Sequence, residues 1–220
     1  HLYRQFEWLS CRRHSMVSVS DTGVDTTMRR ICVFLGSNSG IRAAYVDAAR
    51  DLGRELARRE LTLVYGGGSV GLMGELATAV LAEGGDVIGI IPEALIEKEG
   101  SQIGIHDLRV VASMHDRKAQ MSELADGFVV LPGGIGTLEE FFEILTWAQL
   151  GIHRKPCGVL NTCNFYEGLI QFLDHVVTQG FLTEEHRSML LVGETATELL
   201  TKFMSYQSPP VKRWINRQQI

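Results

Sequence analysis

Short apolar runs rich in β-branched residues alternate along the chain with segments whose apolar positions recur at helical spacing. Arg30 to Gly36 (RICVFLG) is such a run and ends in glycine; Leu61 to Tyr65 (LTLVY) repeats the form ahead of Gly66-Gly67-Gly68. Runs of this length without polar alternation read as strands buried on both faces. Between them, Tyr45, Ala48, Ala49, Leu52, Leu56 and Ala57 share one face of a helix. The alternation continues with a helix over Met73 to Glu83 and a strand over Asp86 to Ile91 stopped by Pro92. A strand over Leu108 to Ala112, a helix over His115 to Ala125 and a strand over Gly127 to Leu131 follow. A helix opening at Leu138 buries Leu138, Phe141, Phe142 and Leu145. Beyond it come a strand near Pro156 to Leu160, a helix over Phe165 to Gln179, a short one near Glu184 and a last one over Ala196 to Phe203.

Such alternation predicts a single α/β domain, a Rossmann-like, doubly wound and mostly parallel sheet with helices on both faces. Ligands in such sheets lie beyond the carboxyl ends of the strands, where the strand order reverses. Glycine clusters at Gly36, at Gly66 to Gly68 and at Gly133 to Gly136 all fall on that rim and predict one pocket. The domain is expected over 29–205, with a flexible leader over 1–28 and a C-terminal tail over 206–220 that begins near Gln207-Ser208-Pro209-Pro210.

Composition narrows the function. A length of 220 residues with 45% apolar content supports one buried core. A net charge of −5 argues against a protein that coats nucleic acid polymers, which needs a basic footprint. The four cysteines form no CxxC pair, no apolar run reaches membrane-spanning length, and residues 1 onward show no signal-peptide pattern, so a cytoplasmic protein with no membrane association is expected. No GxxxxGK[ST] run and no HExxH or zinc-spaced His/Cys set occurs.

Gly66-Gly67-Gly68-Ser69-Val70-Gly71 satisfies GxGxxG after a strand, yet Asp86 starts a strand where the dinucleotide fingerprint wants an acidic residue at a strand's end. Nucleotide contact by Gly67 and Gly68 and plain helix-sheet packing both remain open. Pro132-Gly133-Gly134-Ile135-Gly136-Thr137-Leu138-Glu139-Glu140 runs from a strand through glycines into a helix, the arrangement that presents backbone N–H groups and a helix dipole to an anion such as phosphate. Thr137-Leu138-Glu139-Glu140 also fits a capping box, so Glu140 is either a helix cap or a carboxylate aimed at the ligand. Arg117 and Lys118 open another helix and read either as a solvated basic pair or as cations facing the same ligand.

Arg117-Lys118 together with PGGxGTxxE resembles the LONELY GUY family of cytokinin riboside 5′-monophosphate phosphoribohydrolases. The resemblance runs from about Arg30 to Phe203 and includes Tyr65-Gly66-Gly67-Gly68, Gly71-Leu72-Met73-Gly74 and Thr146-Trp147-Ala148-Gln149-Leu150-Gly151. It implies hydrolysis of the N-glycosidic bond of cytokinin riboside 5′-monophosphates or AMP, without cofactor or metal, by a homodimer or larger assembly whose sites lie near the subunit interface. Arg117 and Glu140 would be the essential pair. Substrate contacts would fall on Glu99, Arg117, Lys118, Gly133, Gly134, Ile135, Gly136, Thr137, Leu138, Glu139, Glu140 and Thr146. Between Pro92 and Val110 the chain departs from its plant relatives, with Glu97-Lys98-Glu99-Gly100-Ser101-Gln102 in place of a glycine- and threonine-rich stretch. The name lysine decarboxylase has often been attached to this family, but nothing in the sequence accounts for a pyridoxal cofactor. A nucleotide sensor or carrier on the same fold is the alternative from a different class. An NAD-dependent oxidoreductase would rest on the Gly66 motif alone.

Overall fold

The computed structural model describes residues 28–99, 104, 105 and 107–211. Nearly all of the expected leader, and the last nine residues of the expected tail, lie outside them. Seven strands are described: β1 (Arg30–Phe34), β2 (Thr62–Tyr65), β3 (Val87–Pro92), β4 (Asp107–Val111), β5 (Gly127–Val130), β6 (Cys157–Leu160) and β7 (Leu190–Gly193). They form one sheet in the order β4-β3-β2-β1-β5-β6-β7, and every neighbouring pair is parallel. The helices are α1 (Ala43–Arg58), α2 (Gly71–Ala82), α3 (Glu93–Glu99), α4 (Met114–Leu124), α5 (Ile135–Gln149), α6 (Glu167–Thr178), α7 (Glu184–Arg187) and α8 (Ala196–Met204), with a 3₁₀ turn at Thr162–Asn164.

Alternate residues of each central strand feed opposite faces, as the two-residue repeat of a strand requires. Ile31, Val33, Leu63 and Val129 pack under α1, α2 and α8 through Leu52, Leu56, Leu76, Val80, Leu199 and Phe203. Cys32, Phe34, Val64, Phe128 and Val130 pack under α4 and α5 through Met121, Phe141, Ile144 and Leu145, joined by Tyr166 and Leu173. Burial on both faces is why the strands carry no polar alternation. Asp126, in the turn before β5, accepts hydrogen bonds from the Arg29 and Arg30 amides at 2.9 Å each, which fixes the start of β1 beside β5.

Three local features differ from the sequence expectation. The charged segment EALIEKE after Pro92 is a helix, α3, too short to show an apolar stripe. LLVG closes the sheet as β7; no glycine or proline separates it from the segment before it, so its apolar run does not stand apart. Helix α5 begins at Ile135, three residues before Leu138, because Gly134 already has the extended conformation of an N-cap. At the other end, residues 206–211 stay with the domain, and Val211 packs on the α4/α5 side of the core.

Glu55 ties α1 to its surroundings. It is buried and accepts hydrogen bonds from Arg58 at 2.7 and 2.8 Å and from Arg59 at 2.7 Å. Arg59 also donates to the Thr197 carbonyl at 3.2 Å and to the Thr201 hydroxyl at 3.1 Å, joining α1 to α8. The hydrogen bonds from Arg58, helped by those from Arg59 and opposed by burial, lower the Glu55 carboxyl from 4.5 to about 2. A folded-state value below the unfolded one contributes stability that is complete above about pH 4.5 and disappears as the pH falls through about 2. Glu55→Gln is therefore expected to lower unfolding free energy by about 1.5–3 kcal/mol at pH 7, the range for hydrogen bonds to a charged group. Urea titrations should show that difference shrinking between pH 4.5 and 2, the span between the two values; a difference independent of pH would refute this account.

Candidate active site

Strand order reverses between β1 and β5: from β1 the chain steps to β2 on one side, and from β5 it steps to β6 on the other. The loops leaving these two strands must diverge, and a crevice opens between them. The Gly36 amide donates to the Pro132 carbonyl at 3.1 Å, so the loops stay joined at their base. Tyr166 steadies the second loop: its hydroxyl donates to the Leu131 carbonyl at 2.6 Å, and its amide donates to Asn161 Oδ1 at 2.7 Å. Burial pushes the Tyr166 phenol up, so it stays a donor across the neutral range. Above the crevice is a cavity of about 360 Å³ lined by Leu35, Ser37 and Asn38 after β1, by Met73 of α2 and Leu95 of α3, and by residues of α4 and α5. That volume lies within the ~300–1,000 Å³ usual for small-molecule sites. Larger hollows lie away from the β1/β5 crevice: about 470 Å³ between α1, the carboxyl ends of β6 and β7 and the start of α8, and about 610 Å³ between α4 and α5.

The early start of α5 decides what Glu140 can do. With Gly134 as N-cap, Ile135, Gly136 and Thr137 are the first three helical residues, and the first intrahelical bond beyond them runs from the Leu138 amide to the Gly134 carbonyl at 3.1 Å. No side chain caps this helix. The amides of its first turn therefore have no helical acceptor, and together with the dipole they favour an anion. Gly134, Ile135 and Gly136 are exposed, Ile135 to 83%, and a β-carbon at Gly134 or Gly136 would meet nothing within 4 Å. Glu140 is the sixth helical residue and cannot reach back as a cap. The capping-box reading of Thr137 to Glu140 is thus overturned. The same pattern at Thr195 to Glu198 does cap: Thr195 accepts from the Glu198 amide at 3.2 Å, and Glu198 accepts from the Glu194 amide at 2.9 Å.

Glu140 instead turns inward, 8% exposed, with Oε1 3.6 Å from Nη2 of Arg117, itself 7% exposed. Arg117 is presented by the first turn of α4, which Ser113 caps by accepting from the Asp116 amide at 3.1 Å. Beneath the pair lies Cys32 of β1. Burial, and next the Glu140 carboxylate, push its thiol well up, so it stays protonated and is no nucleophile. Lys118 bridges α4 to α5, with Nζ 2.6 Å from Glu139 Oε1 and 3.0 Å from Glu143 Oε2. Burial acts to lower its ammonium, but the hydrogen bonds from the ammonium to Glu139 and Glu143 outweigh that and raise it, so the bridge stays charged.

The cavity thus gathers Arg117, Gly134, Ile135, Gly136, Thr137, Glu139 and Glu140. Gly133 lines an adjoining hollow with Asn38, and Leu138 packs against the core. Gly67 and Gly68 are buried at the end of β2 outside the cavity lining; a β-carbon on Gly67 would lie 3.1 Å from Ile91. Thr146 is two turns further along α5, donates to the Phe142 carbonyl at 2.7 Å and lines a separate hollow with Phe181 and Leu182. Glu99 ends α3, the helix whose Leu95 reaches the cavity. Sequence reasoning missed Leu35, Ser37, Asn38, Met73, Leu95 and Met114. The rule that picked the loop after β5 applies equally to Ser37 and Asn38 after β1, whereas Leu95 sits on the helix that was not foreseen.

Comparison with known proteins places this geometry. A family model described as possible lysine decarboxylase matches residues 73–203. The cytokinin riboside 5′-monophosphate phosphoribohydrolase LOG of Oryza sativa subsp. japonica is 49% identical over 178 residues, 81% of this chain and 74% of that protein. The phosphoribohydrolase LOG3 of Arabidopsis thaliana is 50% identical over 178 residues, 81% of this chain and 83% of that one. The chain belongs to the LONELY GUY family. Its fold also resembles the molybdenum cofactor carrier protein of Chlamydomonas reinhardtii (TM-score 0.61, 17% identity, 81% of this chain and 98% of that one) and the molybdenum cofactor binding protein of Rippkaea orientalis (0.62, 18%, 81% and 97%). At such identity the likeness to these two proteins shows the fold alone.

The support under the second loop can be measured. Tyr166→Phe removes the donor to Leu131 and should cost about 1–3 kcal/mol, the range for leaving a buried carbonyl unsatisfied. A urea midpoint equal to that of the unaltered protein would show that the hydroxyl contributes nothing.

Proposed function

We propose that this protein hydrolyses the N-glycosidic bond of nucleoside 5′-monophosphates, with cytokinin riboside 5′-monophosphates and AMP as the substrate class, releasing the free base and ribose 5-phosphate. The observation that carries the proposal is the buried Arg117–Glu140 pair beside the uncapped N-terminus of α5, inside the crevice at the strand reversal. Identity of about half to phosphoribohydrolases so named supports the same reaction.

The first-turn amides of α5 take the 5′-phosphate and supply binding energy remote from the bond that breaks. Breaking the bond from C1′ to the base nitrogen develops positive charge on the ribose ring, as in glycoside hydrolysis. Glu140, six residues along the helix from its cap, stabilises that cation and orients or deprotonates the attacking water. Arg117 holds Glu140 in place and contacts the substrate. Ser37 and Asn38 add neutral hydrogen-bonding groups from the β1 loop, and Met73, Leu95 and Met114 give the cavity an apolar wall suited to a base. We further infer a homodimer or larger assembly acting in the cytoplasm. Partly exposed Phe142 and the exposed Phe181, which line one hollow with Leu145 and Leu182, offer an apolar face that a second copy would cover.

Incubation with a panel of nucleoside monophosphates, assayed for free base and ribose 5-phosphate, tests the reaction directly. Binding without release of base from any of them would favour a nucleotide carrier. Glu140→Gln should lower kcat by about 10²–10⁴-fold, the usual contribution of a positioned acid–base group, with KM changed far less. Near-normal turnover would remove Glu140 from the mechanism. Light scattering on the eluting protein should give at least twice the chain mass of 24.4 kDa; a monomer at assay concentration would sink the assembly.

A further inference from the structure

We propose that Gly66 is a positioning residue for Arg117: the space left by its missing side chain, at the end of β2, is where the guanidinium lies. This rests on the reading that Arg117 and Glu140 act together on the substrate. A β-carbon built on Gly66 would sit 2.1 Å from Nη2 of Arg117, 2.9 Å from Cζ and 3.4 Å from Nε. The guanidinium has few polar restraints of its own. Nε has no hydrogen-bond partner among the described residues, Nη1 faces only the Met114 sulfur at 3.9 Å, and Nη2 stands 3.6 Å from Glu140. A buried cation held this loosely by hydrogen bonds is located by the walls around it, and Gly66 is one of those walls.

The backbone does not itself demand glycine there. Gly67 and Gly71 in the same loop have φ of +77° and +57°, but Gly66 is not among the residues with positive φ. Alanine therefore fits the local conformation, and what it strikes is the far end of a flexible side chain. For the fold that collision costs little. The guanidinium, however, must retreat by about 1.4 Å to regain a van der Waals separation of roughly 3.5 Å from the new carbon. Misplacement on that scale can cost about 10²-fold in rate. Gly66 thus couples the YGGG motif to catalysis without touching substrate.

The test is a double-mutant cycle. Gly66→Ala should leave the thermal midpoint nearly unchanged and lower kcat/KM by about 10²-fold. In an Arg117→Lys background, where no guanidinium occupies the space, the same change should cost less than about twofold. Unchanged kcat/KM in Gly66→Ala, or an equal loss in both backgrounds, overturns the proposal. If Gly66→Ala fails to fold, adding Arg117→Ala removes the colliding group and should restore folding; failure to do so also overturns it. A readout independent of activity is the Arg117 Nε–Hε resonance, identified by its loss in Arg117→Ala. It should shift in Gly66→Ala even if the unaltered protein cleaves no nucleotide, and an unmoved resonance refutes the positioning role.

Discussion

The divergence of two loops at the strand reversal, joined at their base by the hydrogen bond from Gly36 to Pro132, is the constraint on which the rest of the site depends. A parallel sheet wound in one direction would close its loops over one another; winding in both directions leaves a crevice between β1 and β5. That crevice places the start of α5 opposite the β1 loop and the first turn of α4 within reach of both. Arg117 and Glu140 are 23 residues apart in the chain and belong to different helices. They meet because α4 and α5 lie on the same face of the sheet, where both pack against β1.

Much of this was legible in the sequence. The central strands were, because burial on both faces suppresses polar alternation; α1 and α5 were, because each carries an apolar stripe long enough to count. Helix α3 and strand β7 were not: α3 is too short to show a helical period, and LLVG is not set apart from the loop before it by glycine or proline. The site was legible as a loop and less so as a geometry. Thr137 to Glu140 and Thr195 to Glu198 carry the same local signal, yet only the second is a cap. The difference lies upstream, in whether the helix has already begun, and a glycine in an extended conformation leaves no mark that distinguishes it from a glycine in a loop.

The polar groups around the site divide the labour. Lys118 pairs with both Glu139 and Glu143 and binds α4 to α5, and the Arg117–Glu140 contact beside it is longer, at 3.6 Å. The bridge is made by Lys118 and Glu139, the chain neighbours of Arg117 and Glu140, together with Glu143, and it joins α4 to α5 beside the pair.

The absence of a side-chain cap at Gly134 has a consequence for how stability and recognition are shared. A Ser or Asp at that position would satisfy first-turn amides and strengthen α5, as such residues do at other helix starts in this chain. It would also place its own oxygen where an incoming anion must sit. One set of donors cannot serve an internal acceptor and an external one at once. The helix is therefore left incomplete by composition, and an anionic ligand that completes it stabilises the folded protein in proportion to its affinity. Stability gained at this one helix end by sequence change would be recognition lost.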